Sequence, residues 1–393
     1  MNTRLSTGQR QVDHPRPRRT RTAIVDQHAT WIAVNPIQGC PKVCSYCFLN
    51  ERGQTAVRPE QLTSPAETID LLTASPYYAP DRPVALYTWT DVMALPTSRA
   101  HLAELLALMA DRLIPNPVAL ITKCLIPDDA LDAVTTARRA GLRTIVYVSY
   151  SGLGRDIERG IRHEELKTNF PRLAQAGVPI VHYWRPAFPE SAIIHTMGAV
   201  LDWVAAYAQC TVAAGLKVEP AALSRLAELW PELATTPGVT AAEGVYPKRF
   251  WEFIHATRQR HPHYPLFHTN SCALAYVLNQ PDRFGVFGSE VCRSRNHCPH
   301  SQRHRCEADA LGRPAMADAT VRVALDQRGH ANATFNLDHV RGEVVIDAAL
   351  STSTAAALTH DLGIRVRITR QDSDPYWSSG TAGALPLIIG DAE

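Results

Sequence analysis

From residue 30 to about residue 218, strand-like and helix-like runs alternate along this 393-residue chain, and no other feature limits its fold so strongly. Apolar runs at 30–34, 84–88, 118–122, 144–148, 179–183 and 216–218 read as strands. Amphipathic runs at 59–74, 98–112, 128–140, 163–176 and 190–213 read as helices. Ser64 ahead of Pro65 has the form of a helix start. Gly141, Gly177 and Gly215 stand where a helix must end before the next strand, a position that favours glycine. Six strands separated by helices predict a parallel βα array. The expected fold class is α/β: a partial (β/α)6 TIM-like barrel with a cysteine-rich C-terminal extension and a small α+β domain. The boundaries read as a basic flexible arm (1–29), the barrel (30–250), a cysteine-rich auxiliary metal region (251–314) and the α+β domain (315–393). In that last part, strands are expected at 321–325, 333–337, 343–346, 364–369 and 385–389, and a helix at 348–362. In such barrels the chemistry sits at the C-terminal ends of the strands.

The loop after the first strand reads GCPKVCSYCFL, with Cys40, Cys44 and Cys47 in the spacing C-x3-C-x2-C. Clusters of four irons are normally held by four cysteines. A loop that offers three thiolates wraps one face of a cubane and leaves one iron without a protein ligand. The plain alternatives are a partial zinc knuckle or reduced structural thiols. Zinc sites usually come as two paired ligand sets, and no partner pair flanks this loop.

With the aromatic Tyr46 just before Cys47, the loop resembles that of the radical S-adenosylmethionine (SAM) superfamily. The resemblance implies a 4Fe–4S cluster whose open iron chelates SAM. It also implies reductive cleavage of SAM and hydrogen abstraction by a 5′-deoxyadenosyl radical. The polar strand ends narrow the resemblance to the spore photoproduct lyase branch through Thr90-Asp91, Thr122-Lys123, Ser149, Ile157-Glu158, the stretch 173–177 and Arg185-Pro186. The match covers about residues 31–220, a little under half of the chain. It implies that Lys123 and Ser149 contact SAM, and it places Tyr46, Thr90, Asp91, Glu158 and Arg185 on the cofactor side. The chain departs from the branch at one position. The cysteine that branch carries near the end of its second strand is missing from 84–95. Cys124, beside Lys123, is the candidate catalytic thiol in its stead, with an inert buried thiol as the plain alternative. Cys210, on the expected long apolar helix, reads as core.

Cys272, Cys292, Cys298 and Cys306 form a second group, spaced C-x19-C-x5-C-x7-C amid His268, His297, His300, His304 and several arginines. A loop-rich segment without a large core is commonly stapled by a metal. The readings are an auxiliary 4Fe–4S cluster, zinc held by Cys or His, or no metal.

Nine cysteines, three of them in a cluster motif, argue for a reducing, cytoplasmic setting over a disulfide framework. No apolar run is long enough for a membrane span, and the N-terminus has no secretory pattern. The net charge of +2 does not by itself point to nucleic acid. Residues 1–22 carry six arginines against Asp13, which reads as a solvated mobile tail or as a phosphate-contacting arm. The functional expectation is a radical SAM enzyme served by an external electron donor such as flavodoxin or ferredoxin. The branch favours a nucleotide- or nucleobase-containing substrate, with a peptide or a biosynthetic small molecule as the alternative. The rival class is a non-catalytic Fe–S or zinc nucleic-acid-binding protein. Such a module has no need for Lys123, Ser149 and Arg185 on one rim.

Overall fold

The computed structural model describes residues 18–256, 260–282, 297–313, 315–339, 342–371 and 386–390. Cys292 and the arginines at 4, 10, 16, 293 and 295 lie outside these residues. Eight strands stand side by side in sequence order: β1 (Val25–Gln27), β2 (Ile32–Val34), β3 (Val84–Leu86), β4 (Val118–Thr122), β5 (Thr144–Val148), β6 (Ile180–Trp184), β7 (Cys210–Ala213) and β8 (Leu266–Phe267). β1 runs antiparallel to β2 and every later neighbour is parallel. Parallel neighbours need crossovers, and helices Pro65–Thr73, Pro96–Asp111, Asp128–Arg139, Asn169–Gln175 and Ile194–Ala205 lie between the strands.

The strand period of two divides this sheet between two cores. Val84, Leu86, Val118, Leu120, Val146 and Val148 face out and join Leu102, Leu105 and Met109 of the helices. Burying each such side chain is worth about 1.5–3 kcal/mol, so this layer fixes the helices to the sheet. Ala33, Ala85, Ala119, Tyr147, Val181 and Phe267 face inward. Trp31, just ahead of β2, meets Tyr147 of β5 with ring centroids 5.8 Å apart. In a flat sheet those strands would lie three spacings of about 4.8 Å apart; the contact shows that the sheet curls. The molecule is therefore a partial TIM-like barrel with seven parallel strands and one antiparallel edge.

Two expectations in the barrel change. The helix expected over 190–213 ends at Ala205, and Cys210–Ala213 forms β7. The alanine-rich run keeps helical spacing, but the free edge of β6 pairs Val181–Trp184 with it, and tertiary pairing overrides local preference. Cys210 is thus an inward-facing strand residue, fully buried. Residues 216–218 make only an isolated bridge, Leu216 with Val245, and the last strand of the sheet is β8 instead.

C-terminal to the barrel, helices Asn270–Val277 and His300–Gly312 occupy much of the described part of the stretch expected to be loop-rich. Beyond them, strands Thr334–Asp338, Glu343–Leu350 and Arg365–Gln371 form a small sheet with helices Asp318–Gln327 and Thr352–Leu362. The strand expected at 321–325 is helical: Val321, Ala324 and Leu325 are buried at helical spacing, although VRVAL also alternates with a period of two. Leu387–Ile389 pairs with Val245–Pro247 and not with the small sheet. Helix Thr352–Leu362 docks on the floor of the barrel. His360 Nε2 lies 3.1 Å from the Ala29 carbonyl, and Asp361 bridges Arg82 and Arg328. Among the described residues no helix is long and apolar enough to cross a membrane.

Candidate active site

The cysteine loop is held by backbone and amide hydrogen bonds before any ligand is considered. The Cys40 amide donates to the Gln54 carbonyl at 2.7 Å, and Gly39 ahead of it takes φ +98°, which favours glycine. Val43–Cys44 pairs with Glu158–Arg159, Cys44 opposite Glu158. Asn50 Nδ2 donates to the carbonyls of Cys44 (3.0 Å) and Cys47 (2.7 Å), while Thr55 fixes its Oδ1. Buried Gln54 accepts from Arg19 Nε at 3.0 Å and donates to the Thr20 carbonyl. The described end of the arm is therefore packed against the loop, where a mobile tail was expected. Two ion pairs, Arg52–Glu219 (2.9 Å) and Arg225–Glu51 (2.7 Å), tie the loop to the segment after β7.

Cys40, Cys44 and Cys47 all line one cavity of about 320 Å³, bounded by the C-terminal ends of the strands and, ahead of β2, by residues 28–31. Burial pushes the Cys40 thiol up to about 12, with Asp91 and Cys47 adding to it. Burial likewise pushes Cys44 and Cys47 up. Thiols in this setting hold their protons unless a cation takes their place, and metal binding releases such protons. Among the described residues no group of three or more His, Cys, Asp or Glu is placed to hold a single metal ion. The three thiols that line this one cavity are a donor set of the kind an iron–sulfur cluster takes.

The rim brings together most of the other residues singled out from the sequence. Tyr46, Thr90, Asp91, Lys123, Ser149 and Arg185 line the same cavity. Asp91 is already engaged: Thr122 Oγ1 (2.8 Å) and the Lys123 amide (2.7 Å) both donate to it, so it shapes the end of β4. Lys123 Nζ donates to Glu158 Oε1 at 2.7 Å and to the carbonyls of Ser149 and Arg185. Glu158, fully buried, also accepts from Tyr46 Oη and from Ser151 Oγ at 2.8 Å. His163 Nε2 is 3.3 Å from Glu158 Oε2 without hydrogen-bond alignment. Burial lowers the His163 pKa, so Lys123 is the cation that balances Glu158. Arg185 donates to Tyr183 Oη at 2.8 Å. Thr90 Oγ1 is buried without a hydrogen-bond partner, a group left for a ligand.

Cys124 stands at the margin of this site: it does not line the cavity, but its thiol neighbours Asp91 and interacts with Cys40, and burial, then Asp91, pushes it up. In the second group, Cys272 Sγ lies 3.3 Å from Asp282 Oδ2, and Cys306 Sγ accepts from the Asp282 amide and from Gln302 Nε2. Cys298 packs against the inner core.

Several further residues line the cavity. Lys217 lines the cavity, donates to the Ala242 carbonyl at 2.8 Å, and is lowered to about 8 by burial and then by Arg185. Trp31, Tyr87, Tyr183 and Asn270 add walls. Asn270 starts the helix after β8, so its signal was available only once that two-residue strand was recognised. Tyr87 directly follows β3 with φ +59°, an unusual backbone for a non-glycine residue and one that clusters at functional sites.

No family model matches the chain, and no curated protein matches it. Solved structures do. A spore photoproduct lyase complexed with dinucleoside spore photoproduct is 12% identical, with TM-score 0.40, over 51% of this chain and 61% of that one. A mutant of spore photoproduct lyase is 14% identical, with TM-score 0.42, over 55% and 65%. Streptococcus suis SuiB is 11% identical, with TM-score 0.41, over 60% and 47%. In each case less than two thirds of the neighbour's own length is covered.

Proposed function

We propose that the chain is a radical SAM enzyme whose Cys40, Cys44 and Cys47 hold a 4Fe–4S cluster. The observation that carries this reading is the convergence of the three thiols on one cavity at the strand ends, beside a rim of polar groups. A cluster held by these three thiolates would supply the one-electron reduction that reductive cleavage of SAM and hydrogen abstraction from a substrate require. The protein's part is to bind, orient and exclude water. Arg185 and Lys217 offer cations to the SAM carboxylate, while Lys123, whose three donors go to Glu158 and the Ser149 and Arg185 carbonyls, supports the rim beside it. Thr90 and Ser149 offer hydroxyls to its polar groups. Tyr46 and Lys123 are both oriented by Glu158. The aromatic walls Trp31 and Tyr183 suit a planar group and support a nucleobase-containing substrate. Cys272, Cys298 and Cys306, with Cys292, are proposed to hold an auxiliary cluster or zinc.

The test is direct. Anaerobically reconstituted protein with dithionite should convert SAM to 5′-deoxyadenosine and methionine, and Cys44→Ala should abolish the conversion. Turnover of the variant at the parent's rate sinks the proposal.

A further inference from the structure

His255, His268 and His297 stand together just past the end of β8, and none of them lines the cavity. His255 lies on helix Lys248–Ala256, four residues after Trp251 and so on the same face. His268 directly follows β8, and His297 precedes helix His300–Gly312. Trp251 stacks on His268 with ring centroids 4.9 Å apart and lies 4.5 Å from His255. The His255 centroid is 5.4 Å from that of His268 and 5.5 Å from that of His297.

The tautomer of His268 is set by its neighbour. Its Nδ1 lies 3.3 Å from the Ala213 carbonyl, which only accepts, so Nδ1 carries the proton and Nε2 the lone pair. His268 is 8% exposed, and its buried Nε2 has no hydrogen-bond partner among the described residues; the buried Nε2 of His255 has none either. Burial, then His255, pushes His268 down to about 4, and burial lowers His255, so both rings are neutral near pH 7. A buried polar atom left without a partner is costly, and packing alone would favour phenylalanine at both places. A neutral imidazole whose other N–H rests on a backbone carbonyl is the usual state of a metal-ligating histidine. Two imidazoles on one tetrahedral ion, with bonds of about 2.0–2.1 Å, have ring centres about 5 Å apart, close to the spacings of these three rings.

We propose that His255 and His268 bind a divalent transition-metal ion of the zinc class through Nε2, with His297 as the third ligand. Imidazole suits zinc, and zinc takes no part in redox chemistry. As they stand the three rings do not close on one point, so His297 turns about its side-chain bonds when the ion enters. The ion clasps helix Lys248–Ala256 to the end of β8, two residues ahead of the cavity-lining Asn270. The site uses none of the nine cysteines and does not depend on the cluster reading.

In the experiment, zinc is added to the chain already reconstituted with iron and sulfide, which fills the cysteine sites that take a cluster. Unbound metal is removed by gel filtration. Zinc per chain, zinc affinity against a chelating dye, and zinc-edge X-ray absorption are measured on the parent, His255→Gln and His268→Gln. The parent should retain about one zinc per chain with nitrogen neighbours at about 2.0–2.1 Å. Each variant should bind zinc at least about tenfold more weakly, while keeping the parent's iron content and far-ultraviolet circular dichroism. The absorption measurement on the parent needs no variant, so a variant that fails to fold leaves the test standing. A parent that retains no zinc overturns the site. Zinc whose shell is sulfur at about 2.3 Å also overturns it and assigns the ion to the cysteines. Equal zinc affinity in the parent and both variants overturns it as well, and means an adventitious ion only.

Discussion

At the scale of single residues, Glu158 is the group on which the rim depends. It is fully buried and gathers Tyr46, Ser151 and Lys123 onto one carboxylate. A buried charge that loses its partner is costly, by about 3–5 kcal/mol, whereas neutralising both partners is often tolerated. Lys123→Met should therefore destabilise the cluster-free chain by about 3–5 kcal/mol in urea titration, and adding Glu158→Gln should recover at least half of the loss. Additive losses in the double variant would mean that the two groups do not balance each other. The motif residues were legible because chemistry fixes their spacing: Cys40, Cys44 and Cys47 are neighbours in sequence before they are neighbours in space. Glu158 was legible only as one half of a short match. Its place opposite Cys44 comes from a pairing between segments more than a hundred residues apart, which no local pattern encodes. Cys124 drew attention because it sits beside Lys123, and its thiol lies against Asp91 without lining the cavity.

At the scale of elements, β4 and β5 coincide with the runs read at 118–122 and 144–148, because strands buried on both faces read as short apolar runs bounded by turns. β7 was hidden inside an alanine-rich run whose helical spacing continues past the helix, and β8 was too short to stand out. The helix Asp318–Gln327 was taken for a strand because its valines also alternate. The second cysteine group spans several elements. Cys272 lies on helix Asn270–Val277, Cys298 packs on the inner core, Cys306 lies on helix His300–Gly312, and Cys292 is outside the described residues. If these four hold a second cubane, iron per reconstituted chain should approach about eight. Replacing Cys40, Cys44 and Cys47 together by Ala should then leave about half of that iron and a brown chromophore. Zinc in that variant would indicate a structural staple, and a folded chain with neither metal would remove the auxiliary site.

At the scale of the whole molecule, the barrel and the C-terminal unit share several histidines kept neutral by burial. His182, inside the barrel, donates and accepts through Thr211 and the Tyr150 carbonyl, and burial pushes it down to about 3. His360, at the contact between the C-terminal helix and the barrel floor, is pushed down to about 4 by burial and then by Arg82. Between the unfolded value of about 6.5 and these folded values, the unfolded chain binds more protons than the folded one. Stability therefore rises with pH in that window: it is fully present above about 6.5 and is lost as pH falls towards 4. Each such proton contributes up to about 1.4 kcal/mol per pH unit. Urea titrations at pH 7 and pH 5 should show a clear loss at the lower pH, smaller in His360→Gln; equal stability at both would contradict the buried-neutral assignment. The central claim, that three thiolates leave one iron for SAM, is tested most directly by electron–nuclear double resonance on the reduced cluster with SAM labelled by 15N at its amino group and 17O at its carboxylate. The account predicts coupling of both labels to the cluster; a reduced cluster whose spectrum is the same with labelled and unlabelled SAM would contradict it.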